Sequence, residues 1–565
     1  MFDLVIKDAE IFDGAGSAPM RGDLGVTAGR IAAIAPHGGG KLGAAKETLD
    51  ARGLALAPGI IDGHTHYDAQ ITWDPFVDPS PALGVTTAIL GNCGFTIAPC
   101  KPADRDLTMR HLTHVEGMSL DALRAGIRWE FESFPQYLDM LQRLGVGPNV
   151  ACFSGHSSVR TWVMGEEATE RTATDDEIAR MVALVREGMA AGAVGFASST
   201  AEAHNGDGGT PMPSRLADDR ELRALVRAMG DSGRGVYMLT KGSKTSIPYL
   251  EELAIEARRP VVIAALFHSN TNPTAAFTTL DQVNAARGRG RQLVAQTSCC
   301  PLSMDFTFRS PYLFESMTSW KPAMAAHDGE ALKKVYRDPS WRAAVKQEIE
   351  ASRGRLVFNG EWDKLFIVET ARPENRRLEG ATLAALAQSA GQEPLDFILD
   401  FALSENLDTQ FVAQLLHNDE KAVGRILADP NTHISLIDAG AHLTFFCDAG
   451  FGLHLMGHWS RDLRVLDLPQ AVHRLTGQPA KLFGLTGRGL LREGYAADLM
   501  LFDPATVARG PKRRAHDLPS GAARLTTSAV GLHGVWINGT KTADEKGFCI
   551  DRTARPGEVL RSFAA

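Results

Sequence analysis

The stretch Leu54-Ala-Leu-Ala-Pro-Gly-Ile-Ile-Asp-Gly-His-Thr-His-Tyr67 constrains this chain more than any other. An apolar run of strand length ends in Asp62-Gly63-His64-Thr65-His66. Side chains alternate across a strand, so His64 and His66 leave it on the same face. If the strand belongs to a small parallel barrel, both imidazoles project into the barrel's mouth. Two neutral imidazoles converging on one point suit a divalent transition metal such as zinc. Pro58-Gly59 punctuates the approach to the strand, and Gly63 lets the backbone turn tightly beside the histidines.

The rest of the chain can support such a barrel. Its 565 residues exceed one small core and predict a domain of more than about 250 residues plus a smaller one. Hydrophobic content of 44% and charged content of 22% are those of an ordinary soluble enzyme. A net charge of −8 speaks against a nucleic-acid binder, which is usually basic. No window approaches eighteen uninterrupted apolar residues, so no membrane span is expected. Met1-Phe-Asp-Leu-Val-Ile-Lys7 lacks the build of a signal peptide, and seven cysteines without framework spacing fit a reducing cytoplasm. The expected partner is a small-molecule substrate, with self-association into a homo-oligomer left open.

Taken in order, residues 1 to about 57 carry short β patterns separated by Gly-rich turns, and Ala497–Asp503 and Ala529–Gly539 read as matching strands near the other end. Between them strand-like and helix-like segments alternate, the pattern of an α/β parallel sheet or (β/α) barrel. Strands are expected at 54–61, 84–95, 149–156, 192–200, 235–241, 260–268, 291–298 and 433–438, the eight that a closed (β/α)8 TIM-type barrel needs. Thr174 is placed to cap a helix that fills one crossover. The gap from about 300 to 430 is too long for a simple crossover. It is rich in aromatics (Phe306, Phe308, Tyr312, Phe314, Trp320, Trp341) and is read as a lid or small inserted subdomain before strand eight. As a lid, it would line the pocket with Phe308 and Tyr312 and favour a bulky apolar or aromatic substrate group.

The run Pro58-Gly-Ile-Ile-Asp-Gly-His-Thr-His66 resembles the first barrel strand of the amidohydrolase superfamily of metal-dependent hydrolases. Gly91-Asn-Cys-Gly-Phe95, Glu132-Ser-Phe-Pro-Gln-Tyr137, Gly155-His-Ser-Ser-Val-Arg160 and Pro213-Ser-Arg-Leu-Ala-Asp218 narrow the resemblance to its N-acyl-D-amino-acid deacylase (D-aminoacylase) branch. The resemblance runs from residue 1 to about 300 and from about 355 to 540. It implies a small β-sandwich built from both termini (1–57 plus 485–565) beside a metal-dependent barrel (58–484). Gly489-Leu-Leu-Arg-Glu-Gly-Tyr-Ala-Ala-Asp498 would be the structural return between the two. It also implies that Cys93 is a zinc ligand, a position where a thiolate is chemically apt. Asp438, at the C-terminal end of strand eight where barrel active sites are built, would bind the metal. It would also take a proton from the attacking water and pass one to the leaving amine.

This sequence departs from the branch in two places. Relatives carry histidine ligands at the ends of strands five and six. Here strand five ends Tyr237-Met-Leu-Thr-Lys241, and the histidine of strand six, His268, comes about three residues late. Three accounts stay open: one zinc held by His64, His66, Asp438 and Cys93; two zincs with Lys241, conceivably carboxylated, and His268 as substitutes; or weak metal binding. His156, Arg160, His442 and Tyr312 are candidate substrate contacts, and His442 is equally open as a ligand or structural residue. Arg309 is a further candidate for a substrate carboxylate. His111, His114 and Glu116 read as one face of a charged, partly exposed helix. His204 sits in a glycine-rich loop that suits a pocket wall. The expected reaction is metal-dependent hydrolysis of the amide C–N bond of an N-acylated amino acid or related amide. The alternatives are a carbamate, a cyclic amide or an amide-type toxin as substrate, or an inactive binding protein of the same fold.

Overall fold

The computed structural model describes residues 1–38, 42–206, 209–309, 311–314, 317–326, 328–351, 358–440 and 448–565, without the side chain of Tyr312. β1 (Phe2–Ile11), β2 (Met20–Thr27) and β3 (Arg30–Pro36) form antiparallel pairs, while β4 (Ala45–Asp50) and β5 (Ala55–Pro58) lie parallel to β1. β5 then accepts Leu499–Phe502, so both ends of the chain enter one hydrogen-bonded sheet. Leu4, Ile6, Leu24, Val26, Leu499, Leu501 and Trp536 give that sheet its own apolar cluster. Asp498 fastens it to the neighbouring strands. Its carboxylate accepts from the Asn149 amide at 3.1 Å and the Asn538 N–H at 2.8 Å, and its carbonyl accepts from the Gly59 N–H at 2.9 Å.

One residue past β5 the chain turns inward. β6 (Ile60–Asp62), β7 (Val85–Leu90) and β8 (Asn149–Cys152) run parallel. After Phe153 come β9 (Ser154–Gly155), β10 (Gly195–Ser199), β11 (Val236–Thr240), β12 (Val261–Ala264) and β13 (Leu293–Thr297), again all parallel. Their residues are buried throughout, as in a sheet covered on both faces. The crossovers are helical: Thr174 caps Asp175–Ala191 in a reciprocal box with Glu177, as its position in the sequence predicts.

The chain then leaves for an insertion whose strands β14 (Leu302–Phe306), β15 (Leu365–Glu369) and β16 (Gln410–Leu416) form an antiparallel sheet. It returns in β17 (Thr432–Ile434), parallel to β13. Just beyond β6 and β17, Thr65 and Ala439 form a parallel bridge, and the His66 N–H donates to the Ala439 carbonyl at 2.8 Å.

The insertion has its own core. Phe306, Phe308, Phe314, Trp320, Tyr336 and Trp341 are buried against one another, with Phe314 and Trp320 stacked at 4.5 Å between centroids. This corrects the expectation that Phe308 lines a substrate pocket, because the aromatics interdigitate with each other where no ring face is left for a ligand. Tyr312's side chain lies outside the described residues.

His417, just past β16, bolts the insertion to the strands beneath. Its Nδ1 accepts from the His268 N–H at 3.0 Å, and its Nε2 donates to the Ser298 carbonyl at 2.9 Å. The bond accepted at Nδ1 needs the neutral ring, and burial pushes the imidazole down to about 4.

Two outcomes follow from this packing. Phe308→Ala should cost about 3–5 kcal/mol of stability in urea unfolding, with metal content per folded molecule unchanged. For His417, the unfolded ring takes a proton below about pH 6.5 while the folded ring resists until about 4. Its stabilisation is therefore present above about pH 6.5 and lost as pH falls toward 4, a loss of about 3 kcal/mol. Unfolding curves of His417→Gln between pH 7 and pH 4 should be flatter than wild type by that amount.

Candidate metal centre

Four chain segments meet where the parallel strands end. His64 and His66 extend β6, with Thr65 between them engaged in backbone pairing, and their rings lie 5.3 Å apart. Gly63 is required here, since a Cβ would come within 2.3 Å of the His433 ring. Cys93 follows β7 in a tight turn with φ of 55°, and Asp438 follows β17 with φ of 51°. Both are L-residues in the left-handed region, a strain of order 1 kcal/mol or more that clusters at functional sites.

The donor atoms converge. Cys93 Sγ lies 3.5 Å from His64 Nε2 and 3.8 Å from His66 Nε2. Asp438 Oδ1 lies 3.1 Å from His64 Nε2 and 3.3 Å from His66 Nε2. A tetrahedral zinc with ordinary bond lengths needs edges of about 3.4 Å between nitrogen and oxygen donors and about 3.6 Å between nitrogen and sulfur. The four contacts that the histidines make match those edges; His64, His66 and Cys93 form the compact donor group, and Asp438 joins it through the two imidazoles.

Each imidazole is oriented from behind. His64 Nδ1 lies 2.8 Å from Gln296 Oε1, and His66 Nδ1 lies 3.1 Å from Glu116 Oε1. Both neighbours are acceptors, so Nδ1 carries the proton and Nε2 presents its lone pair to the centre, the arrangement of metal-binding histidines. The surrounding charges favour a cation at this point, whether protons on the rings or a metal ion. Burial alone would lower His64, but the Cys93 thiolate and the Asp438 carboxylate outweigh it and lift the ring to about 10. Burial opposes ionisation of Asp438 too, yet the two imidazoles hold it well below the usual carboxylate range. Cys93 is likewise lowered against its burial by His64 and His66. The pocket is built to hold positive charge. Asp438 keeps 19% of its side chain exposed against 0% and 3% for the histidines, so it is the donor that faces solvent.

Among the expected ligands, Lys241 and His268 are not brought to this point. Lys241 follows Thr240, whose hydroxyl lies 3.0 Å from Cys93 Sγ, while the Lys241 ammonium reaches the Gly242 carbonyl at 3.3 Å. His268 is engaged through its backbone with His417, and its ring lies beside Phe277 at 6.2 Å.

His156 and Arg160, expected at the substrate, are fully buried elsewhere. His156 lies 2.8 Å from both Ser198 Oγ and Glu221 Oε1, and Arg160 is ion-paired to the other Glu221 oxygen. The reason is charge neutralisation: Glu221 is buried, and a cation and a ring donor compensate it. His442 lies outside the described residues. Arg309 is in an ion pair with Asp408 on the insertion's surface. His204 stands 2.6 Å from Ser199 Oγ and edge-on to Phe95, two residues past Cys93.

Glu116 was read as part of an exposed helix face and is instead 2% exposed. It ends the helix Arg105–Val115 against His66, and an acid four residues past the buried Leu112 gave no local signal of this. Gln296 lies inside β13, where only the β alternation could have flagged a polar residue among apolar neighbours.

The amidohydrolase family model matches residues 47–335 and 376–542. The chain belongs to the amidohydrolase family. Across 571 residues it is 31% identical to a D-aminoacylase from Alcaligenes xylosoxydans xylosoxydans, covering 100% of this chain and 98% of the relative. A solved D-aminoacylase, studied for its binuclear metal centre, superimposes with a TM-score of 0.65 at 26% identity over 100% of both chains. An N-acyl-D-glutamate deacylase from Bordetella bronchiseptica, solved with zinc and a phosphonate mimic of the tetrahedral intermediate, gives 0.64 at 25% identity. It covers 99% of this amidohydrolase and 100% of that chain.

The buried network generates a prediction of its own. Glu221→Gln leaves Arg160 buried without its counter-charge and should cost about 3–5 kcal/mol in chemical unfolding. The KM of whatever protein remains folded should stay at the wild-type value; a raised KM would return Arg160 to the substrate.

Proposed function

We propose that this amidohydrolase hydrolyses the amide C–N bond of N-acyl amino acids, N-acyl-D-amino acids foremost, with zinc held by His64, His66, Cys93 and Asp438. The observation that carries the reading is the convergence of the His64, His66 and Cys93 donor atoms, with the Asp438 carboxylate against both imidazoles. The deacylases named above add the substrate class. The strand ends around the centre are those of a (β/α)8 barrel (58–484, with the insertion at about 300–430) closed at Thr65 and Ala439, with 1–57 and 485–565 as the second domain; the Thr65–Ala439 bridge supports that closure. Six described cysteines are free thiols, which fits work in a reducing cytoplasm.

When bound, zinc would supply Lewis acidity toward water and the scissile carbonyl. The protein does the rest. Glu116 and Gln296 hold the imidazoles so that Nε2 faces the centre. Asp438, the donor open to solvent, takes the proton of the attacking water and returns it to the departing nitrogen as the tetrahedral adduct collapses. Its depressed pKa keeps it an unprotonated base at neutral pH.

The test is amine release from paired N-acetyl-D- and N-acetyl-L-amino acids by zinc-loaded protein. D-substrates should turn over, chelation should abolish turnover, and Asp438→Asn should lower kcat by about 10²–10⁴. Loaded protein that releases amine from none of these substrates would overturn the reading.

A further inference from the structure

The thiol of Cys93 has a third neighbour besides His64 and His66. At 3.0 Å from its Sγ stands the hydroxyl of Thr240, the last residue of β11. A thiolate that bridged two metal ions would need a second set of donors. The strands that could supply them are β11 and β12, and their register is fixed: Thr240 pairs with Ala264, and Ala265 follows. Neither alanine carries a donor. Lys241 turns to the Gly242 carbonyl, and His268 lies four residues past the end of β12, buried beside Phe277. Among the described residues, the group of His, Cys, Asp and Glu donors that all lie within 4.8 Å of one another is His64, His66 and Cys93, with no second group of three.

We infer that this centre takes a single divalent cation, and that Thr240 fixes that number by donating its hydroxyl proton to the Cys93 thiolate from the end of β11, a strand that would have to supply a second metal's donors. The inference rests on the zinc-site reading above. A threonine hydroxyl is a neutral, weakly ligating group, but it is a good donor to an anionic sulfur. The bond occupies the sulfur lone pair that bridging would need. It also draws electron density from the sulfur, which leaves the bound cation a stronger Lewis acid, as second-shell donors to metal ligands do. Thr240 is therefore a positioning residue, acting on the cation through Cys93. The contrast is with the solved D-aminoacylase studied for its binuclear centre, which shares this chain's fold at 26% identity.

Two measurements test this without any substrate. The first is titration of metal-stripped full-length protein with Zn²⁺, followed by elemental analysis after removal of the excess. One zinc per chain is expected, and two retained per chain overturn the inference. Retention of none overturns the zinc-site reading itself, so the two failures are distinguishable. The second is the thiolate-to-cobalt charge-transfer absorption of the Co²⁺-substituted protein. Thr240→Val, close in shape but without the hydroxyl, should move the band to longer wavelength as the sulfur regains density. Thr240→Ser, which keeps the hydroxyl, should restore the wild-type position. A band at the same wavelength in all three proteins would show that Thr240 does not donate to the ligating sulfur and would overturn its role.

Discussion

Everything at the mouth of this protein depends on two buried anions held against one pair of imidazoles. A thiolate and a carboxylate are held against the same pair of imidazoles, each donor within 3.8 Å of both rings. Burial makes each anion costly, and the two imidazoles offset that cost. The fold imposes this arrangement. Cys93 and Asp438 sit in left-handed backbone that sequence-local preferences disfavour, and the Thr65–Ala439 pairing keeps the first and last parallel strands in register beneath them. Once the four donors are fixed, the requirements on other residues follow. Gly63 has no side chain because His433 needs the space, and Glu116 and Gln296 are acceptors because the rings must present Nε2.

Much of this was legible in the chain. His64 and His66 were readable because a spacing of two is the period of a strand, and Asp438 because a carboxylate ending a late strand has few other uses. Cys93 needed its neighbours, Gly91-Asn92 before and Gly94-Phe95 after, to be separated from an ordinary buried thiol. The unreadable residues share one property: their partners are remote. Glu221 meets His156 and Arg160 from 65 and 61 residues away, and Glu116 meets His66 from beyond β7 and the helix Arg105–Val115. Local pattern gives polarity, but burial and pairing are tertiary facts.

Lys241 shows how narrow the margin is. β11 ends at Thr240, and in a strand the choice between one residue and the next is the choice between two faces. The threonine reached the sulfur and the lysine went to a loop carbonyl. The aromatics from Phe306 to Trp320 failed differently. Their composition announces a hydrophobic cluster but not which way it faces, and they turned inward to stabilise the insertion rather than outward to meet a ligand.

The four donors also carry a consequence for synthesis. His64 and His66 leave the ribosome early, while Asp438 emerges only after the whole insertion has been made. With the donor set proposed above, a nascent chain would display an incomplete chelator for most of its translation, and the last donor would arrive only when β17 pairs beside β13. Full metal capture would then report that this long-range topology has been achieved.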